Sequence, residues 1–320
     1  MDLGVTYIPS HLPDHIRPDM AHLADIGCTE VLFALQENHL YNLTGALHFG
    51  ADLARQAGLR PYAVIWGYAN TFGGGRMSKL MLEQPDLWRV ARDGTRVPMA
   101  CLNHPVLAER FEVFTRLCRE AGFLGMFVDE PTRQECFCAH CQARWGGDLR
   151  AASPAEVEAF QRATVHAYTA DLCRRVKAVD ASLTTLTCLM PVDRSVWQPA
   201  AQIPELDVLG TDPYWLLPAM RLTLDEAVEH TAAMKELCQL TGKQSQVWLQ
   251  GWRIPAGQEE AVYRGGKALA AVGCDSFYTW SYRGGLGTYE ACDDPARTWA
   301  SVTRLYGELS GRSAGSAAGR

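Results

Sequence analysis

Long hydrophobic runs are missing from this 320-residue sequence. No stretch of about 18 uninterrupted apolar residues occurs, so no membrane-spanning helix is expected. Basic runs are missing too. Lys and Arg total 30 against 36 Asp and Glu, for a formal net charge of −6. That balance, with no aromatic-basic stripe, speaks against nucleic-acid or anionic-membrane partners. No Gly-x-Gly-x-x-Gly follows the first apolar run, which argues against a dinucleotide-binding sheet. The triplet in Gly73-Gly74-Gly75-Arg76 lacks the Lys-Ser/Thr of a phosphate-binding loop and reads as a flexible loop. The opening residues have neither the charged region nor the long apolar core of a secretory signal. Cysteine, by contrast, is plentiful at eleven residues. Several (Cys118, Cys173, Cys188, Cys238, Cys274) fall inside apolar patterns, where a thiol behaves as a small hydrophobe. An odd count without a signal peptide leads us to expect a reducing, cytoplasmic location.

What is present is an alternation. Short apolar runs at 3–9, 30–36, 60–66, 122–128, 183–190, 206–211, 246–250 and 276–281 read as strands. Helical patterns lie between them at 18–26, 43–57, 105–121, 154–179, 224–241 and 258–272, and a last one follows at 295–309. The link 193–203 is short and poorly patterned. Near-continuous apolar strands joined by helices imply a parallel sheet covered on its outer face. Eight such units predict a single (β/α)8 TIM barrel over residues 1–310 with a long loop, 67–103, after strand 3. A doubly wound open sheet is the alternative. The Gly/Ala/Ser-rich segment 311–320 reads as a disordered tail.

In a barrel, residues at the carboxyl ends of strands face one pocket. Here they include His11, Glu37, Trp66, the pair Asp129-Glu130, then Asp212 and Tyr214, then Gln250, Trp252 and Arg253, and finally Trp280 and Tyr282. Aromatic faces stack on the C–H faces of sugar rings, and carboxylates bind hydroxyls or move protons. The mixture suits a small-molecule sugar or oligosaccharide better than a phosphate ester, which would want several Lys or Arg. Plainer readings stand beside this one. His11 can be a loop hydrogen-bonder, Glu37 a helix-start acid, and Asp212, before Pro213, an Asx-type turn. For Asp129-Glu130 the cost of two carboxylates at a buried strand end favours function.

Cys136, Cys138 and Cys141 share one short loop. A structural zinc takes four ligands in a tetrahedron. Cys101 lies outside any strand or helix pattern at the end of the long insertion and is the expected fourth ligand, with His140 in reserve. Three free thiols, a disulfide or an iron–sulfur cluster are the other readings.

The run Asp86-Leu87-Trp88 with Asp93-Gly94, then Cys101-Leu102-Asn103-His104-Pro105, then Gly125-Met126-Phe127-Val128-Asp129-Glu130-Pro131, then Cys136-x-Cys138-x-x-Cys141, resembles barrel-type glycoside hydrolases. The cysteine spacing is similar to the zinc cluster of bacterial family 42 β-galactosidases. The resemblance covers about residues 80–145. It implies Cys101, Cys136, Cys138 and Cys141 as ligands of a structural zinc and Glu130 in the acid/base position. Asn103, in the same run, joins the expected substrate contacts.

Two departures stand out. The acid/base Glu of that family follows Asn, whereas Glu130 follows Asp129. Its nucleophilic Glu ends the seventh strand, where this chain has Gln250. An amide does not form a glycosyl ester. The second carboxylate is therefore expected in Asp129 or Asp212. The α-galactosidase-like clan places an Asp nucleophile after its fourth strand and an Asp acid after its sixth. In an inverting arrangement Glu130 would be the acid and Asp212 the base. A carboxyl separation of about 5 Å implies retention and roughly 6.5–9.5 Å inversion. The expected function is a glycoside hydrolase. The alternatives are a non-catalytic carbohydrate-binding barrel or a metal-dependent sugar isomerase or lyase.

Overall fold

A computed structural model describes residues 1–71 and 78–311. The Gly73–Arg76 loop and the tail beyond Gly311 lie outside the described residues. Eight parallel strands close into a barrel: β1 (Asp2–Tyr7), β2 (Glu30–Leu35), β3 (Arg60–Ile65), β4 (Gly125–Val128), β5 (Thr184–Leu189), β6 (Val208–Thr211), β7 (Gln244–Gln250) and β8 (Ser276–Trp280). Each pairs with its sequence neighbours, and β1 closes the ring against β8 with Asp2 opposite Ser276. This is the expected (β/α)8 architecture. No helix among the described residues is long and apolar enough to cross a membrane.

Strand alternation sorts the apolar residues into two cores. Outward-facing Leu3, Val5, Val31, Phe33, Val247 and Phe277 pack under the surrounding helices. Inward-facing Leu32, Tyr62, Phe127, Trp248 and Tyr278 fill the barrel. Both faces are covered, so β2 is buried at every position. The interior is crowded at Gly4, where an added Cβ would lie 2.3 Å from the Tyr278 ring.

Four helices have the expected bounds because their ends are punctuated. Pro105–Ala121 starts at the cap His104 and stops at Gly122, with φ +94°. Pro154–Val179 begins with a Ser153/Glu156 capping box, and Leu224–Thr241 with a Thr223/Glu226 box before ending at Gly242. Pro295–Leu309 is capped by Asp294. The first helix departs from expectation. It runs Pro13–Asp25, with Pro13 at its first position and Pro18 tolerated inside. A helix Glu37–Asn42 was not expected, and the link after β5 holds the five-residue helix Trp197–Ala201.

The insertion after β3 is ordered where described. Strands Trp88–Val90 and Arg96–Ala100 form an antiparallel hairpin around Asp93-Gly94. There Asp93 accepts from the Thr95 amide at 2.8 Å.

Candidate active site and a cysteine cluster

Every non-glycine residue with positive φ among the described residues lies in a loop that follows the carboxyl end of a strand. Ala69 and Asn70 follow β3, Glu130 follows β4, Arg221 follows β6, Arg253 follows β7 and Arg283 follows β8. Left-handed backbone at non-glycine positions costs about 1–3 kcal/mol each. The strain is therefore gathered at one end of the barrel, the end that carries the chemistry in this architecture.

A cavity of about 460 Å³, open to solvent, occupies that end. Trp66, Tyr214, Trp248, Trp252 and Trp280 wall it, with Phe127 and Cys188 beside them. Trp66 and Trp280 meet edge to face at 5.4 Å, and Tyr214 and Trp252 at 5.9 Å. Its carboxylates are Asp129, Glu130 and Glu290. Asp129 and Glu130 follow β4 directly, where a short, fully buried strand hands over to Pro131. Glu130 has φ +40°.

Asp212 stands behind this wall, 1% exposed. Neither of its oxygens has a hydrogen bond of ordinary geometry within the chain. Its backbone makes the turn into Pro213, with the Tyr214 amide on the Asp212 carbonyl at 2.8 Å, so the side chain is not used as an Asx turn. Burial, then the negative charge of Glu130, holds the Asp212 carboxyl well above the usual range. Asp129 is raised likewise, first by burial and then by Glu130 and Glu290. Carboxyls crowded out of water do not all ionise together, so burial and mutual repulsion favour the protonated form of Asp129 and Asp212.

The other expected contacts divide. Gln250 is fully buried, and its amide nitrogen donates to the Trp252 carbonyl at 3.0 Å. The exposed guanidinium of Arg253 lies over the rings of Trp252 and Tyr289 at the rim. His11 is exposed and packs on His39, 5.2 Å between ring centres. Glu37 takes the plainer role. It accepts from Ser78 Oγ and from the Leu80 amide at 3.1 Å, tying the insertion after β3 to β2. Tyr282 donates to Asp19 at 2.8 Å, as Tyr7 does at 2.9 Å, and lines a separate surface cavity between the loops after β1 and β8. Asn103 lies at the cysteines, its amide donating to the Cys141 sulfur at 3.2 Å.

Sequence reasoning missed Glu290, Trp248 and Cys188. Trp248 and Cys188 point inward from β7 and β5, below the strand ends. Glu290 comes from the loop after β8, beyond the run Gly284-Gly285-Leu286-Gly287. Its carboxylate accepts from Trp280 Nε1 at 3.1 Å. A glycine-rich loop long enough to fold back over the mouth was the available signal.

Cys101, Cys136, Cys138 and Cys141 form a second buried constellation, on the flank of the barrel. Their sulfurs all lie within 4.8 Å of one another. The cluster sits in its own small core with Phe137, Leu149 and Val157. The Phe137 amide bonds to the Val90 carbonyl at 2.7 Å and the Cys101 amide to the Leu87 carbonyl at 2.8 Å, so the cysteine loop and the hairpin are stitched together. Four sulfurs so placed can hold a metal ion. A tetrahedron with metal–sulfur bonds of about 2.3 Å has edges of about 3.8 Å, which this spacing suits. His140, the reserve ligand, instead packs edge-on against His104 at 4.3 Å. All eleven cysteines are buried, and none is in a disulfide.

No protein-family profile matches the chain, and no curated protein matches it in sequence. Solved structures do. The β-galactosidase of the Antarctic haloarchaeon Halorubrum lacusprofundi superposes with a TM-score of 0.72 at 17% identity, over 97% of this chain and 58% of that one. A GH42 β-galactosidase from G. stearothermophilus gives 0.74 at 14%, over 97% and 57%. The catalytic domain of a Paenibacillus polymyxa β-amylase gives 0.64 at 8%, over 95% and 97%. The chain thus spans less than two thirds of the length of the β-galactosidases. At these identities the likeness is one of fold: this is a barrel of the kind glycoside hydrolases use.

Proposed function

We propose that this chain is a glycoside hydrolase acting through the carboxyl cluster at the barrel mouth. The observation that carries the reading is the cavity itself, where Asp129 and Glu130 share an aromatic-walled hollow with Asp212 packed behind them. Glycosidic cleavage needs a proton for the leaving oxygen and a carboxylate to meet the developing positive charge at the anomeric carbon. Burial and mutual repulsion raise Asp129 and Asp212, which favours a proton on these carboxyls. Glu130 reaches the cavity from a strained backbone and delivers the proton, with Asp129 and Asp212 as its reservoir. Trp66, Trp252, Trp280 and Tyr214 offer faces to the sugar ring.

The test is hydrolysis of a panel of aryl glycosides and short oligosaccharides by the purified chain and by Glu130→Gln. Turnover in the parent and none in the variant is the expected result. Equal turnover in both would remove Glu130 as the acid.

Gln250 favours a second reading, a carbohydrate-binding barrel without turnover, because that strand end carries no carboxylate. Saturable sugar binding with no product across the panel would establish it. The metal-dependent isomerase gains no support: among the described residues the four cysteines are the group arranged to hold a metal.

The cysteines fit zinc, which would be held by Cys101, Cys136, Cys138 and Cys141. Zinc would supply a cross-link there rather than chemistry, because four thiolates leave no open position.

A further inference from the structure

We propose that Glu290, on the loop after β8, is the second catalytic carboxylate of this site, standing in for the one that Gln250 does not provide. The proposal rests on the glycoside hydrolase reading above and assigns its missing half.

Three observations carry it. First, Gln250 takes no part in the cavity wall. It is fully buried, and its amide nitrogen is spent on the Trp252 carbonyl. Second, Glu290 does line the cavity, together with Asp129 and Glu130, although it stands 160 residues beyond Glu130 in the sequence. Third, Glu290 is held in place. One carboxylate oxygen accepts from Trp280 Nε1 at 3.1 Å, its amide donates to Thr288 Oγ1 at 3.1 Å, and its carbonyl accepts from the Arg253 amide at 3.0 Å. The loop around it is pinned by Cys292 N to Gly284 O at 2.9 Å and by Asp293 N to Ile254 O at 3.0 Å. Only 6% of Glu290 is exposed, so a carboxylate here is costly unless the site uses it. Its charge also reaches Asp129, which places both groups in one electrostatic unit.

The bond changes balance without any further reactant. As nucleophile, a Glu290 oxygen forms a bond to the anomeric carbon while the glycosidic C–O bond breaks, and the leaving oxygen takes the proton from Glu130. Water then cleaves the ester, returning its proton to Glu130. As base, Glu290 takes a proton from a water whose oxygen attacks the anomeric carbon, with the same leaving step.

The experiment compares the parent chain, Glu290→Gln and Glu290→Ala on an aryl glycoside that the parent cleaves, with and without sodium azide. Glu290→Gln keeps an acceptor for Trp280 Nε1, so folding is checked by its melting temperature. A loss of about 10²–10⁴-fold in kcat is expected for both variants. Azide should restore turnover in Glu290→Ala, yielding a glycosyl azide of inverted configuration in either role, and the parent's own product, retained or inverted at the anomeric carbon, distinguishes nucleophile from base. Activity near the parent level in either variant overturns the proposal. Loss without azide rescue also overturns it and makes Glu290 a positioning residue for Trp280. If the parent cleaves nothing, the hydrolase reading itself has failed, an outcome separate from both.

Discussion

Two buried carboxylates at opposite ends of the barrel are treated differently. Glu30, at the amino end of β2, accepts from Arg60 Nε at 3.1 Å and from the Tyr278 hydroxyl at 2.6 Å. Arg60 bridges it to Asp2 at 2.7 Å. Asp212, at the carboxyl end of β6, is as deeply buried and has no ordinary hydrogen bond from the chain. Gln250 Oε1, Trp252 Nε1 and Ser281 Oγ, near the same end, are also without chain partners. Buried polar groups in stable folds are nearly always satisfied. At the floor the rule holds for Glu30, whose partners tie β2 to β3 and β8, while Gln246 Nε2 there has no chain partner. The mouth breaks the rule, and the breach is where a ligand or reacting group belongs.

The largest effect that would test this contrast is on rate. Glu130→Gln should lower kcat by about 10²–10⁴-fold while leaving the melting temperature in place. A fall in both together would make the mouth a stability element like the floor. Next comes the clamp on the flank. Cys101→Ser should abolish binding of about one zinc per chain and open the hairpin at 88–100 to limited proteolysis. Metal analysis showing full zinc content in the variant would remove Cys101 from the ligand set. At the floor, Glu30→Gln should lower unfolding free energy by about 1–3 kcal/mol, because the Arg60 and Tyr278 donors lose a charged acceptor. Turnover per folded molecule should not change. The smallest effect is a slope. Asp129 and Asp212 keep protons in the fold that the unfolded chain releases above about pH 4. The unfolded state then binds fewer protons, so stability falls as pH rises from there towards their raised pKa values. Asp212→Asn should flatten that decline in denaturant titrations between about pH 4 and neutrality. An unchanged slope would show that Asp212 is not held protonated.

The contrast also explains what was legible in advance. Strand periods, capping boxes and the Pro and Gly stops are local, and they located all eight strands and four helices closely. The first helix was misplaced because Pro18 looked like a start, whereas Pro13 opens the helix and Pro18 is carried inside it. The Cys-x-Cys-x-x-Cys spacing is local as well, but its fourth partner lies 35 residues upstream of Cys136 and was inferred from the absence of any helix or strand role for Cys101. At the mouth, the strand-end rule found Trp66, Asp129, Glu130, Tyr214, Trp252 and Trp280. It also gathered residues that tertiary packing sends elsewhere: Glu37 to the insertion, Tyr282 to Asp19, and Asn103, which the family resemblance added, to the cysteines. Strand ends set a direction for the main chain, but a long side chain is captured by whichever donor or acceptor the neighbouring loop presents.

By itself, the amino-acid sequence determined the alternation that closes this barrel and the close spacing of Cys136, Cys138 and Cys141 on its flank, because periodicity, caps and short-range spacing act between near neighbours. Tertiary structure alone decided which carboxyls share the cavity. Burial and charge at Asp129 and Asp212, and the return of Glu290 over the mouth, depend on groups far apart along the chain, and their energies exist only once the ring of strands has brought them together.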